Sequence, residues 1–189
     1  MQKVIRVLTA VSFSLLTTGC ANLSTREIPP PVGIDGVPCV GRVGQPIPET
    51  AADEVSDERA VNEAQAASGK GGICAGKAFM AKRELRVYRV WDASRSSSEF
   101  GRWWALDRPV GPRATYRQEF AICAGWSALD RLVSCDVKRG SGLVVGTTQS
   151  VDCDEGPYPK SALNQVYLRN DSAADNLLVE NCRDEGMWP

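Results

Sequence analysis

Seven cysteines and no histidine constrain this 189-residue chain more than any other feature. The cysteines stand at positions 20, 39, 74, 123, 135, 153 and 182, and no two form a Cys-x-x-Cys pair. A zinc site would need four thiolates at spacings that do not favour it, so no metal is expected. Without histidine there is no Ser-His-Asp triad, no Cys-His pair and no imidazole general base. Any catalysis must then rest on carboxylates, Arg, Lys, Tyr or hydroxyl groups. In an oxidising compartment, cysteines in even number read as a disulfide framework.

The N-terminus points to such a compartment. Lys3 and Arg6 form a positive start, and an apolar stretch from Val7 to Leu16 follows, broken only by Thr9, Ser12 and Ser14. A bilayer span needs roughly 20 apolar residues, so this stretch is too short to cross. It has the length of a signal-peptide apolar region. The run Leu16-Thr17-Thr18-Gly19-Cys20 resembles the lipobox of bacterial lipoproteins, with Thr17 where that family prefers Leu. The resemblance implies removal of residues 1–19 as a signal peptide and acylation of Cys20. Several acyl chains anchor stably where one binds marginally. Ala21 stands where an Asp would signal inner-membrane retention. The expected partner is therefore a membrane, reached through lipidated Cys20, and the expected location is the outer membrane, facing the periplasm.

Six cysteines then remain: Cys39, Cys74, Cys123, Cys135, Cys153 and Cys182. Three bridges among them have about 15 connectivities. Nearness in sequence favours Cys123–Cys135 and Cys153–Cys182, which leaves Cys39–Cys74. Without residues 1–19 the chain carries 20 basic and 23 acidic side chains, a net charge of about −3. With no basic run, nucleic acid is not an expected partner.

Residues 20–72 read as a tether. Pro29-Pro30-Pro31, Gly33, Gly36, Pro38, Pro46 and Pro48 favour an extended chain, and Cys39 staples it to the folded part. Within it, the Ala- and Glu-rich segment Thr50–Ala67 reads as a short helix with almost no hydrophobic face. Ser68-Gly69-Lys70-Gly71-Gly72 lacks the pattern of a phosphate loop and reads as a linker. The folded domain spans 73–189. Leu85–Trp91 alternates apolar and polar residues as a half-buried strand does. Further strands are expected at 101–105, 132–138, 143–148, 164–169 and 176–181, with a helix at 114–121 that places Tyr116 and Phe120 on one side. The fold class is α+β: a compact, mostly-β domain stapled by disulfides.

Four short segments occur in a telling order: Tyr88-Arg89-Val90, Gly101-Arg102-Trp103-Trp104, Val145 to Ser150, and Asn164-Gln165-Val166-Tyr167. Together they resemble ADP-ribosyltransferase-like domains of polymorphic toxins. The resemblance implies a split sheet around a cleft that holds NAD, as substrate rather than resident cofactor. It implies that Arg89 grips the NAD phosphate and ribose, that Thr147, Thr148 or Ser150 supplies a hydroxyl, and that Gln165 stands where the family carries Glu or Gln. Trp103 or Trp104 would stack on the nicotinamide. Gln165 keeps a hydrogen bond to the ribose but lacks a carboxylate's charge, which leaves NAD cleavage or simple binding ahead of transfer to protein.

The same residues have plainer readings. Arg89 on a polar strand face is commonly solvated or salt-bridged, and adjacent tryptophans on a strand point to opposite faces. Asp152, Asp154 and Glu155 read as a solvated turn, because the calcium-loop pattern is incomplete. NAD is scarce in the periplasm, so the classes in play are an NAD-cleaving enzyme, a non-catalytic binding or toxin-neutralising lipoprotein with a protein partner in the envelope, and a purely structural envelope component.

Overall fold

The structure is a computed structural model describing residues 29–44 and 47–189. The signal peptide expected over 1–19, the lipidation expected at Cys20 and the start of the expected tether lie outside the described residues. The strands are β1 (Ala52–Val55), β2 (Ile73–Ala81), β3 (Arg86–Trp91), β4 (Trp103–Ala105), β5 (Arg131–Val137), β6 (Gly142–Thr148), β7 (Val151–Cys153), β8 (Gly156–Tyr158), β9 (Ser161–Tyr167) and β10 (Val179–Met187). Two α-helices accompany them among the described residues, α1 (Glu58–Ala64) and α2 (Arg113–Phe120). Eight strands form one antiparallel sheet in the order β1-β2-β6-β9-β4-β3-β5-β10, and β7 and β8 form a separate hairpin. The mostly-β reading holds.

Alternation sorts the sheet's side chains. Val87, Val133, Val137, Leu143, Val145, Val166 and Leu168 share one face and pack with Trp104 into the main core. Both helices lie on the other face. Ala60 and Ala64 of α1 cover Ile73, Val144 and Tyr167, while Tyr116 and Phe120 of α2 cover Val90 and Leu132. No described helix covers the first, inner face: Ala52 of β1 and Val179 of β10, from opposite ends of the strand order, both belong to its core, the loop residues Ile47, Phe100, Leu106 and Leu177 pack against it, and the helices lie outside. β5 and β6 are covered on both faces, which is why Leu132-Val133 and Leu143-Val144-Val145 read as unbroken apolar runs. At Gly146 a Cβ would sit 2.2 Å from the Ala75 carbonyl oxygen, so β2 and β6 can approach only because no side chain intervenes.

Two expectations require correction. Thr50–Ala67 is not one helix: Ala52–Val55 pairs with Ala81–Ala78 as an edge strand, and the helix is confined to Glu58–Ala64. It starts at Asp57, whose side chain accepts from the Ala60 N–H at 2.9 Å. The bridges are Cys39–Cys74, Cys123–Cys153 and Cys135–Cys182. The first agrees with the expectation; Cys123–Cys135 and Cys153–Cys182 do not form. Cys135 lies within β5, and a bulge in β10 between Glu180 and Arg183 seats Cys182 beside it. Cys123 instead follows α2, where the β7–β8 hairpin brings Cys153 to it. Neighbours in space, rather than in sequence, choose the partners.

Candidate functional site

The site forms where the sheet parts. β3 and β4 share one bridge, Tyr88 with Ala105, and then diverge. The Arg89 guanidinium spans the gap, its Nε donating to the Ser98 carbonyl at 2.8 Å and its Nη1 to the Trp103 carbonyl at 2.6 Å. Gly101 makes room for it, because a Cβ there would lie 2.6 Å from Arg89 Nη2. Trp104 is buried in the main core and donates from Nε1 to the Gly101 carbonyl at 2.8 Å. Trp103 points to the outer face and packs on Tyr167, ring centroids 5.0 Å apart. The two tryptophans thus face opposite ways, as strand geometry requires.

Over this gap lies a cavity of about 220 Å³. Tyr116, Phe120, Ile122, Trp126 and Leu129 join Trp103 and Trp104 around it, and Arg89 and Gln165 supply its polar edge. Tyr116 and Phe120 stand one helical turn apart with centroids at 4.4 Å, and Trp126 is exposed at the mouth. The helix turns away at Ala121, which takes the left-handed conformation at φ 52°. Arg117 then holds the following loop by donating to the Cys123 and Ser127 carbonyls at 3.1 and 2.6 Å.

Gln165 is buried. Its Nε2 faces three acceptors: the Gly72 carbonyl at 3.2 Å, the Phe120 carbonyl at 3.3 Å and Thr148 Oγ1 at 3.1 Å. That amide clamps the approach to β2, the end of α2 and β6 against β9. Thr148 therefore touches Gln165. Thr147 is on the opposite face of β6, its buried hydroxyl without a partner. Ser150 lies apart from the cavity, accepting from the Gly69 N–H at 3.0 Å. Arg89, Trp103, Trp104 and Gln165 thus line one cavity, Thr148 adjoins it, and Ser150 does not.

Burial shifts the two titratable groups of the cavity in opposite directions. Burial lowers the Arg89 guanidinium from its ordinary range, although nearby Tyr116 opposes this. Burial pushes the Tyr116 phenol up to about 12, against the pull of Arg89. Among the described residues, no carboxylate lines the cavity. A larger hollow of about 620 Å³ between β1, α1 and β2 is an open surface groove that contains the ion-paired Glu54 and Lys77, at 2.9 Å, and none of these residues. Among the described residues, no group of three or more His, Cys, Asp or Glu side chains is arranged to hold a metal ion.

Asp92 organises the rim. Its Oδ1 accepts from the Ser94 hydroxyl at 2.6 Å and the Ser94 N–H at 3.0 Å, and its Oδ2 from the Ala128 N–H at 3.2 Å. The Ser94 hydroxyl above all, then the Ala128 N–H, holds this carboxyl below the usual carboxylate range. A depressed folded value means that the ionised form stabilises the fold above the unfolded pKa of about 3.9, and that this contribution is lost as pH falls through the folded value. Urea midpoints measured against pH should therefore fall more gently in acid for Asp92→Asn than for the wild type. Equal acid slopes would show that Asp92 does not couple the rim to pH.

No protein-family model matches the chain, and no curated protein or solved structure is detectably similar to it. The site rests on its own geometry. Sequence alone points to Arg89, the tryptophan pair and Gln165 but gives no sign that Ile122, Trp126 and Leu129 join the site. The spacing that puts Tyr116 and Phe120 on one helical side is the available signal.

Proposed function

We propose that this chain is an envelope lipoprotein, anchored through Cys20, whose disulfide-stapled domain is a non-catalytic binding module. Its cavity accepts one aromatic side chain of a protein partner, with Trp126 as the exposed part of the contact. The observation that carries this reading is the state of the site's polar groups. The Nε and Nη1 of Arg89 and the amide of Gln165 already serve the protein's own carbonyl and hydroxyl groups. What faces a ligand is mostly apolar, with Trp103, Trp104, Tyr116, Phe120 and Trp126 supplying aromatic rings. Pockets for whole small molecules run to roughly 300–1,000 Å³, and about 220 Å³ suits a single ring. Exposed tryptophan beside such a pocket is the composition of an interaction hot spot.

A second reading, NAD binding with nicotinamide release, draws on one observation: Arg89, Trp103, Trp104 and Gln165 line the same cavity. A photo-crosslinking residue at Trp126, compared with one at the exposed Val110, which does not line the cavity, tests the first reading in intact envelopes. A discrete protein adduct at position 126 alone is expected, and Ile122→Trp, which fills the cavity, should abolish it. Adducts unaffected by Ile122→Trp would overturn the role of the cavity. Heat of binding and nicotinamide release on adding millimolar NAD to the oxidised protein would replace the first reading with the second.

A further inference from the structure

Among the described residues, four exposed large apolar side chains crowd into one nine-residue stretch. Val32, Ile34, Val37 and Val40 are 55, 58, 46 and 47 % exposed. This stretch is a built element. Val32 bridges Pro38, the Gly33 N–H donates to the Val37 carbonyl at 2.9 Å, and the Cys39 N–H to the Pro31 carbonyl at 2.8 Å. Cys39–Cys74 bolts the resulting hairpin to β2. Its single carboxylate is turned back to the body: Asp35 accepts from the Ser68 N–H at 2.8 Å, from the Ser68 hydroxyl and from the Val37 N–H at 3.1 Å. Rigid display of apolar side chains to water is unfavourable unless something covers them.

We infer that this hairpin is a membrane-contacting wedge, with Val32, Ile34, Val37 and Val40 seated in the outer part of the bilayer that holds Cys20. The inference rests on the anchoring part of the proposed function. Two observations select lipid as the occupant. Eight residues separate Cys20 from Pro29, and at no more than about 3.6 Å per residue they keep the hairpin within roughly 30 Å of the anchor. Cations also border the patch: Arg42 follows it and is exposed, and Lys160 Nζ reaches the Val37 and Pro38 carbonyls at 3.4 and 3.2 Å. Apolar tips beside cations match acyl chains beneath anionic headgroups.

The test uses the full mature chain in phosphatidylethanolamine–phosphatidylglycerol vesicles whose acyl chains are brominated below the headgroup. Ile34→Trp is compared with Val110→Trp, each read against the wild-type emission. A side chain held roughly 5–10 Å below the surface meets the bromines, so the Ile34→Trp signal should fall by about half while Val110→Trp is unchanged. No quenching at position 34, or equal quenching at both positions, would overturn the wedge. Detergent phase partitioning with a labelled fatty acid reads the anchor separately. Labelled, partitioning protein without quenching sinks the wedge and keeps the anchor; quenching without label keeps the wedge and sinks the anchor.

Discussion

Replacing Cys135 and Cys182 together by alanine should lower the stability of the oxidised protein by about 4 kcal/mol, the largest change expected from any bridge. The pair closes the longest of the three loops, with a sequence separation of 47 against 35 and 30. Loop-closure entropy lost from the unfolded chain grows slowly with loop length and amounts to about 4 kcal/mol at this size. The bridge also fastens an edge strand: β10 carries two bulges and pairs only with β5. Urea unfolding of the double variant beside the wild type measures the loss. A midpoint unchanged at equal slope would mean that β10 holds without its covalent tie.

The second large effect is expected at Arg89. Arg89→Ala removes two charge-assisted hydrogen bonds and leaves the Ser98 and Trp103 carbonyls without donors at the parting of β3 and β4. Bonds to charged groups contribute about 1.5–3 kcal/mol each, so a total of roughly 3 kcal/mol is expected after relaxation. An arginine that only gripped ligand would give the opposite pattern, with unchanged melting and weakened binding. Melting temperature and hydrogen exchange at the β4 amides distinguish them. Wild-type melting with fully protected β4 amides would remove Arg89 as the strut of the split.

Much of the sheet was legible from period-two patterning. The strands expected at 85–91, 132–138 and 143–148 lie within a residue or so of β3, β5 and β6, because burial follows side-chain alternation or, in doubly covered strands, unbroken apolarity. β2 is not legible in the sequence: Ile73 is its one β-branched residue, and Gly76 within Ile-Cys-Ala-Gly-Lys-Ala-Phe-Met-Ala leaves room for β6, since a Cβ there would meet Val144 at 3.0 Å. β1 reads as helix because Ala-Asp-Glu-Val has helical composition, and only pairing with β2 makes it a strand. The site divides in the same way. Residue types at Arg89, Trp103, Trp104 and Gln165 stood out in the sequence, but their hydrogen-bond partners are mostly backbone carbonyls, which no pattern of side chains reveals.

The connectivity of the last two bridges has a consequence for how the molecule is made. Cys123–Cys153 and Cys135–Cys182 interleave along the chain, each loop enclosing one cysteine of the other pair. On the export reading, the chain enters the oxidising space N-terminus first, so Cys39 and Cys74 emerge in succession and can close at once. Cys123 and Cys135 also emerge in succession, yet they are not partners. Oxidation that keeps pace with translocation would therefore join the wrong thiols and hold β5 against the end of α2 until another thiol reopened the bond. Maturation of this domain should depend on a disulfide-shuffling catalyst, and only its first bridge should form correctly without one.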